Sequence, residues 1–124
     1  GTIYDLGSGD GRVLFLAEKF GFKAIGYENS LAPMLYSRFI KFRKRSKAQI
    51  NFGSLFKADL SQADVVFVYL MPLIFQKLVK KIKKECKKGT LIVSSGFEVP
   101  ELHLIKAVNR DYDKRWPRIY YYKV

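Results

Sequence analysis

Asp5-Leu6-Gly7-Ser8-Gly9-Asp10-Gly11-Arg12 decides how this chain is read. It follows a short apolar run, Ile3 to Leu6, and precedes an amphipathic one, Val13 to Phe20, the pattern of a strand, a glycine turn and a helix start. Glycines at 7, 9 and 11 let the backbone turn sharply and leave room for a ligand where a Cβ would collide. That is a nucleotide-binding corner. The dinucleotide fingerprint G-x-G-x-x-G needs its third glycine at position 12, where this chain has Arg12, so hydride-transfer cofactors fit poorly. The carboxylate of Asp5, at the carboxyl end of the strand, repels a pyrophosphate and attracts a cation, such as the amino group of an amino-acid-like cofactor.

A second strand, Lys23 to Tyr27, ends in Glu28, 17 residues after Gly11. In a β-α-β unit this carboxylate stands beside the first crossover, where it can accept both ribose hydroxyls of a nucleoside. An adenosine joined to an α-amino acid satisfies both acids, which points to S-adenosylmethionine as cofactor and S-adenosylhomocysteine as product. Gly7, Ser8, Gly9 and Gly11 are expected to cradle its amino-acid end. Asn29, Ser54 and Leu55 are expected to line the adenine side. The competing reading is a tight turn with a solvated Glu28.

Outward from this corner, strand and helix patterns keep alternating. Leu31 to Arg45 has helical periodicity, with Leu31, Met34, Leu35, Phe39 and Phe42 expected on one face and Ser30 as N-cap. Ala48 to Phe52 reads as a third strand. Val65 to Leu70 is an uninterrupted apolar run, expected as a central fourth strand buried on both faces. Pro72 opens a helix over Leu73 to Lys84, and Thr90 to Ser94 is a fifth strand. Leu102 to Val108 and Arg118 to Val124 read as a terminal antiparallel pair joined by the polar connection Asn109 to Pro117. The fold class is therefore α/β: a Rossmann-like, mostly parallel seven-stranded sheet in the order 3-2-1-4-5-7-6, only the seventh strand antiparallel, with helices on both faces.

The 124 residues, 48% of them hydrophobic, can bury one core and so form a single domain spanning residues 1–124. No apolar run is long enough to cross a bilayer, and no signal-like start is present. The lone Cys86 cannot pair internally, which favours a reducing, cytoplasmic or otherwise intracellular setting; it reads as an incidental thiol. Position 1 is Gly and the first strand starts almost at once, so a further upstream segment is expected.

The glycine loop, Gly26-Tyr27-Glu28-Asn29, the Phe-x-x-Pro segment Phe97 to Pro100 and the aromatic ending Arg118-Ile119-Tyr120-Tyr121-Tyr122 together resemble the small seven-β-strand, class I protein-lysine methyltransferases. That group includes a compact archaeal enzyme and mitochondrial relatives acting on the adenine nucleotide translocase and the ATP synthase c-subunit. The resemblance runs through essentially the whole chain. It implies S-adenosylmethionine as cofactor, a protein lysine as acceptor and no metal. Two departures stand out. Ser54 occupies the place where many such enzymes carry an acid for the adenine amino group, and Leu102 and His103 stand where the family has a tryptophan after Phe-x-x-Pro. The fourth strand ends in Val68-Tyr69-Leu70-Met71-Pro72, without the Asn/Asp-Pro-Pro-Tyr/Phe motif that holds a planar amide or amine, which argues against DNA adenine or glutamine methylation.

Methyl transfer from a sulfonium to an amine is an in-line displacement in which alignment and desolvation do much of the catalysis. Tyr69, at the carboxyl edge of the central strand, is expected to orient the amine through its hydroxyl, helped by carbonyls near Leu70 and Met71; the alternative is simple packing under the loop. His103 reads as a surface strand residue. The formal charge of +12 gathers at Lys41 to Lys47 and Lys77 to Lys88. These runs suit solvated helix faces, RNA or DNA, or an acidic protein or membrane surface. The function expected first is a protein-lysine methyltransferase acting on proteins with an accessible lysine. An RNA-directed methyltransferase and a non-catalytic binding module on the same fold are the alternatives.

Overall fold

A computed structural model describes residues 1–109 and 118–124. Its elements are β1 (Thr2–Leu6), α1 (Arg12–Lys19), β2 (Lys23–Glu28), α2 (Leu31–Lys44), β3 (Gln49–Phe52), β4 (Val65–Val68), α3 (Phe75–Glu85), β5 (Leu91–Ser95), β6 (His103–Val108) and β7 (Ile119–Lys123). Short 3-10 turns lie at Leu55–Lys57, Leu60–Gln62 and Pro72–Ile74. The predicted connection from Asn109 to Pro117 lies, from residue 110 onward, outside the described residues.

The strands form one sheet in the expected order, β3-β2-β1-β4-β5-β7-β6. Every neighbouring pair is parallel except those involving β7, which runs antiparallel to both β5 and β6. Because side chains alternate across a strand, β1 feeds two cores at once. Tyr4 and Leu6 join Val66, Val68, Ile92 and Tyr122 beneath Phe75, Leu78, Val79 and Ile82 of α3. Ile3 points the other way and joins Ala24, Ala48 and Ile50 beneath Leu14, Phe15 and Ala17 of α1 and Met34 of α2.

Helix α2 departs from expectation. Leu31, Leu35, Phe39 and Phe42 face solvent, 53–80% exposed, and Met34 alone of the five expected residues is buried. The core-facing positions are Met34 and Ser37. Three contacts set this roll. The Glu28 carboxylate takes the N–H of Ser30 at 3.0 Å, fixing the phase of the first turn. Arg38 donates to the carbonyl of Ile50 at 2.9 Å. Ser37, fully buried, lies against Gly11, where a Cβ on the glycine would stand 3.4 Å from Ser37 Cβ. Ser30 occupies the N-cap position but makes no side-chain capping bond.

The fourth strand is also less covered than its apolar run implied. Val66 and Val68 are fully buried under α3, whereas Val65 and Phe67 are only half-buried. On that face Phe67, Val93, Ile119 and Tyr121 border an open concavity beside Val13 and Leu16 of α1.

Two sequence motifs distant in the chain prove to be one structural unit. The hydroxyl of Tyr122, a residue 2% exposed, accepts the backbone N–H of Val99 at 2.7 Å, tying the aromatic last strand to the Phe97-to-Pro100 segment. Burial also pushes the Tyr122 phenol above its ordinary pKa. Tyr122→Phe removes the acceptor and leaves a buried amide unsatisfied, so urea unfolding should show a loss of about 1–3 kcal/mol. An unchanged midpoint would mean that the Val99 amide finds another partner.

Candidate functional site

The carboxyl ends of β1, β2 and β4 open onto two adjoining hollows. One, of about 330 Å³, is bordered by Glu28, Asn29, Ser54, Leu55 and Phe56. The other, of about 460 Å³, is bordered by Asp5, Ser8, Gly9, Asp10 and Ser95. Gly7 and Tyr69 border both. The expected site residues therefore converge on one cleft at the sheet edge where ligands bind in open α/β folds, with Gly11 just behind as the N-cap of α1.

The glycine loop is held by the backbone of β2. The amides of Gly7 and Ser8 both donate to the carbonyl of Tyr27, at 2.8 and 3.0 Å. The amide of Gly9 donates to Glu28 Oε1 at 2.7 Å, while Oε2 of the same carboxylate accepts the Ser30 amide. Glu28 thus clamps the loop to the start of α2. Close approach also requires Gly26: a Cβ there would lie 2.6 Å from Leu14 Cδ1 and 2.8 Å from Ser8 Cβ. At Gly11 the backbone is left-handed, with φ 84°, and a Cβ would meet the Phe15 ring at 2.9 Å. Ser8 borders the cleft with its hydroxyl turned toward Gly26, where the buried Oγ has no hydrogen-bond partner among the described residues.

Asp5 is 2% exposed. Burial first, then the neighbouring charges of Glu28 and Asp10, raise its carboxyl pKa from 3.8 to about 7. Asp10 has the opposite fate: its ion pair with Arg12, at 2.7 Å, lowers its pKa. The two acids of the quoted stretch therefore differ sharply. One is satisfied by its neighbour in the chain, and the other is buried and raised at the floor of the cleft.

Tyr69 lies one residue beyond β4, in the loop, and is 62% exposed. Ser54 acts on the backbone: its Oγ accepts the Phe56 amide at 3.2 Å and caps the 3-10 turn that borders the cleft. That turn rests on a residue absent from the expectations. Lys81 of α3 donates to the carbonyl of Phe56 at 3.1 Å, to the carbonyl of Ala58, and to both oxygens of Glu85 at 3.0 and 2.8 Å. Glu85 in turn accepts the Leu60 amide at 3.1 Å. The Lys77-to-Lys88 run is therefore not wholly a solvated face: the Lys81 side chain is 9% exposed. Its i,i+4 spacing to Glu85 is the one sequence signal that marks it.

Residues elsewhere stay apart from the cleft. His103 is exposed on the edge strand β6. Cys86, just past α3, is buried, and burial pushes its thiol up to about 11.

A mixed sheet of this order, with a glycine loop at the end of its first strand and acids at the ends of the first two, defines a Rossmann-like class I methyltransferase fold. Residues 5–106 match the family described as the ANTKMT methyltransferase domain, and the chain belongs to that family. A protein-lysine N-methyltransferase of Saccharolobus islandicus is 37% identical over 78% of this chain and 63% of its own. The human lysine N-methyltransferase of the ATP synthase c-subunit is 32% identical over 81% of this chain and 44% of its own. The chain thus spans about half the length of the curated relatives it matches. Among solved structures, an RNA methyltransferase from Salinibacter ruber in complex with S-adenosyl-L-homocysteine superposes with a TM-score of 0.88 at 29% identity, covering 99% of this chain and 80% of that one.

Asp5 makes stability depend on pH. Its carboxyl binds a proton more tightly in the folded chain than in the unfolded one, so its contribution is favourable at low pH and is lost as pH rises from 3.8 towards 7. Asp5→Asn, which cannot ionise, should flatten the fall in stability across that interval, read as urea midpoints at successive pH values. Equal slopes in the two proteins would show that Asp5 ionises freely.

Proposed function

We propose that this chain is the catalytic domain of an S-adenosylmethionine-dependent methyltransferase whose acceptor is a lysine side chain of a protein. We further propose that residues 1–124 form a single domain. The observation that carries the cofactor assignment is the pair of acids flanking the glycine loop, Asp5 buried at one end and Glu28 at the other, along a cleft bordered by Asn29, Ser54 and Leu55. A Cβ built on Gly9 would meet nothing within 4 Å, so the loop leaves open space above it. These residues fit an amino-acid-bearing adenosine. Asp5 would face the ammonium group and hold it by charge. Gly7, Ser8, Gly9 and Gly11 would cradle the amino-acid end through their backbone, and Glu28 would accept the ribose hydroxyls while still holding the loop. Asn29, Ser54 and Leu55 would line the adenine.

Bound there, S-adenosylmethionine supplies an electrophilic methyl group on a positively charged sulfonium. The chain's part is to bring a neutral amine into line with it. Burial in the cleft and like-charge repulsion both lower an acceptor lysine's pKa, so entry itself favours the nucleophilic form. Tyr69 at the junction of the two hollows is suited to accept a hydrogen bond from that amine and aim its lone pair. Its position supports this role: it borders both hollows and remains exposed to an incoming side chain.

The family supports a lysine acceptor, and the absence of an Asn/Asp-Pro-Pro-Tyr/Phe motif after β4 argues against DNA adenine and glutamine acceptors, though not against every RNA. An RNA acceptor is the second reading, favoured by the formal charge of +12 and by the likeness to a methyltransferase described as acting on RNA. A reducing, intracellular compartment is proposed from the single, buried Cys86. No helix among the described residues is long and apolar enough to cross a membrane.

Incubation with methyl-labelled cofactor and cell extract, followed by separate nuclease and protease treatment, should leave nuclease-resistant label that hydrolysis releases as methyl-lysine. Label confined to RNA would overturn the acceptor assignment and leave the cofactor assignment standing. Tyr69→Phe should lower the rate of methyl transfer with cofactor affinity nearly unchanged, because the hydroxyl acts on the acceptor. Glu28→Gln weakens the ribose contact and should cost about 1.5–3 kcal/mol of cofactor affinity by calorimetry. Circular dichroism checks that the overall fold survives in that variant.

A further inference from the structure

The solvent face of α2 carries large apolar side chains where a surface helix ordinarily carries polar ones. Leu31, Leu35, Phe39 and Phe42, at i, i+4, i+8 and i+11, form a stripe opposite the buried Met34 and Ser37. At 1.5 Å of rise per residue the stripe is about 16 Å long. A contiguous apolar ridge of this kind marks a contact surface.

Its charge is one-sided. α2 contains no acidic residue, and Arg38, Lys41, Arg43 and Lys44 are followed by Arg45 and, after Ser46, Lys47. The acid that reaches this end of the helix, Glu18, is occupied by Ser46 Oγ and by the Lys47 amide at 2.7 Å. Arg38, Lys41, Arg43 and Arg45 also border a hollow between α2 and β3, alongside Phe42. Apolar ridge and cationic hollow are therefore contiguous.

We infer that this face docks on an anionic phospholipid bilayer. The helix lies in the headgroup plane, the four apolar side chains enter the acyl boundary, and Arg43, Arg45 and Lys47 meet lipid phosphates. Two features select this partner. Nucleic acid matches the cations but leaves Leu31 and Leu35 in water, since aliphatic side chains offer neither hydrogen bonds nor a stacking face. An acidic protein matches the charge too, but a convex ridge then needs a complementary apolar groove. A bilayer accommodates the ridge by deformation and supplies negative charge along its whole flank. The remaining positive charge, part of the formal +12, adds long-range attraction to the same surface. Because α2 starts three residues after Glu28, docking holds one edge of the cleft at headgroup level. The inference stands whether the methyl acceptor is a protein or an RNA.

Co-sedimentation of the chain with vesicles of phosphatidylcholine alone, or of phosphatidylcholine mixed with phosphatidylglycerol, tests it. Binding is expected only to the anionic vesicles, weakened by added salt. The double variant Phe39→Ser/Phe42→Ser should lose at least about tenfold in partition, because both rings are exposed in the free protein and enter the acyl boundary on docking. Arg43→Glu/Lys47→Glu should lose a comparable amount through charge. Circular dichroism should show both variants folded, as expected for changes at exposed positions. A Phe42→Trp reporter should shift to the blue on anionic vesicles and be quenched by acyl-chain bromolipids. Four results would overturn the inference: no vesicle binding; binding indifferent to the double serine variant; a dimer in sedimentation velocity that this variant dissociates; or RNA binding abolished by it while vesicles are ignored. Unchanged cofactor affinity across these variants separates this surface from the cleft.

Discussion

The carboxylate of Glu28, shared between the amides of Gly9 and Ser30, is the contact on which the rest of the cleft depends. It joins three pieces of chain at one point: the end of β2, the glycine loop after β1 and the start of α2. Backbone amides at a helix start carry partial positive charge, so an acid is the side chain best able to hold two of them together. The arrangement demands that nothing intervene, and Gly26 meets that demand by leaving out a Cβ where Leu14 and Ser8 press closest. Asp5, buried nearby, is held towards its neutral form first by its burial and then by the charge of Glu28.

A second layer keeps the other wall of the cleft in register. The turn from Leu55 to Lys57 packs Leu55 and Phe56 against the core, and Lys81 fastens it to α3 through the carbonyls of Phe56 and Ala58. At the far side of the sheet, the Tyr122 hydroxyl fastens the segment after β5 to the last strand. Both links run from a rigid element to an irregular one. Rigid support of this sort fixes a binding surface that loops alone would leave adjustable.

The basic residues, conspicuous in the composition, divide into distinct roles once placed. Lys81 is interior and structural, Lys87 pairs with Asp64 at 2.8 Å at the sheet's opposite edge, and Lys44 lies over the ring of Phe15. The cations at the end of α2 share a surface with the exposed Phe42. Net charge therefore speaks to attraction at a distance, and the local pattern to what is held on contact.

The sequence by itself determined the order of strands and helices, the glycine loop and the acids at the ends of the first two strands, because each rests on a local rule: period-two or 3.6 patterning, glycine at a turn, an acid at a strand end. It also put Tyr69 at the carboxyl edge of the central strand, but read that strand as running to Leu70, whereas β4 stops at Val68 and leaves Tyr69 in the loop. Tertiary structure alone decided which face of α2 meets the sheet. Leu31, Leu35, Phe39 and Phe42 make the better apolar stripe, yet the Ser30 amide on Glu28, Ser37 against Gly11 and Arg38 on the Ile50 carbonyl roll the helix so that the stripe faces out. It likewise decided that Lys81 is buried, that Tyr122 reaches Val99 and that one face of β4 is only half covered. These outcomes depend on contacts between residues far apart in the chain, and helical periodicity fixes the faces of a helix without saying which one the neighbouring elements will bury.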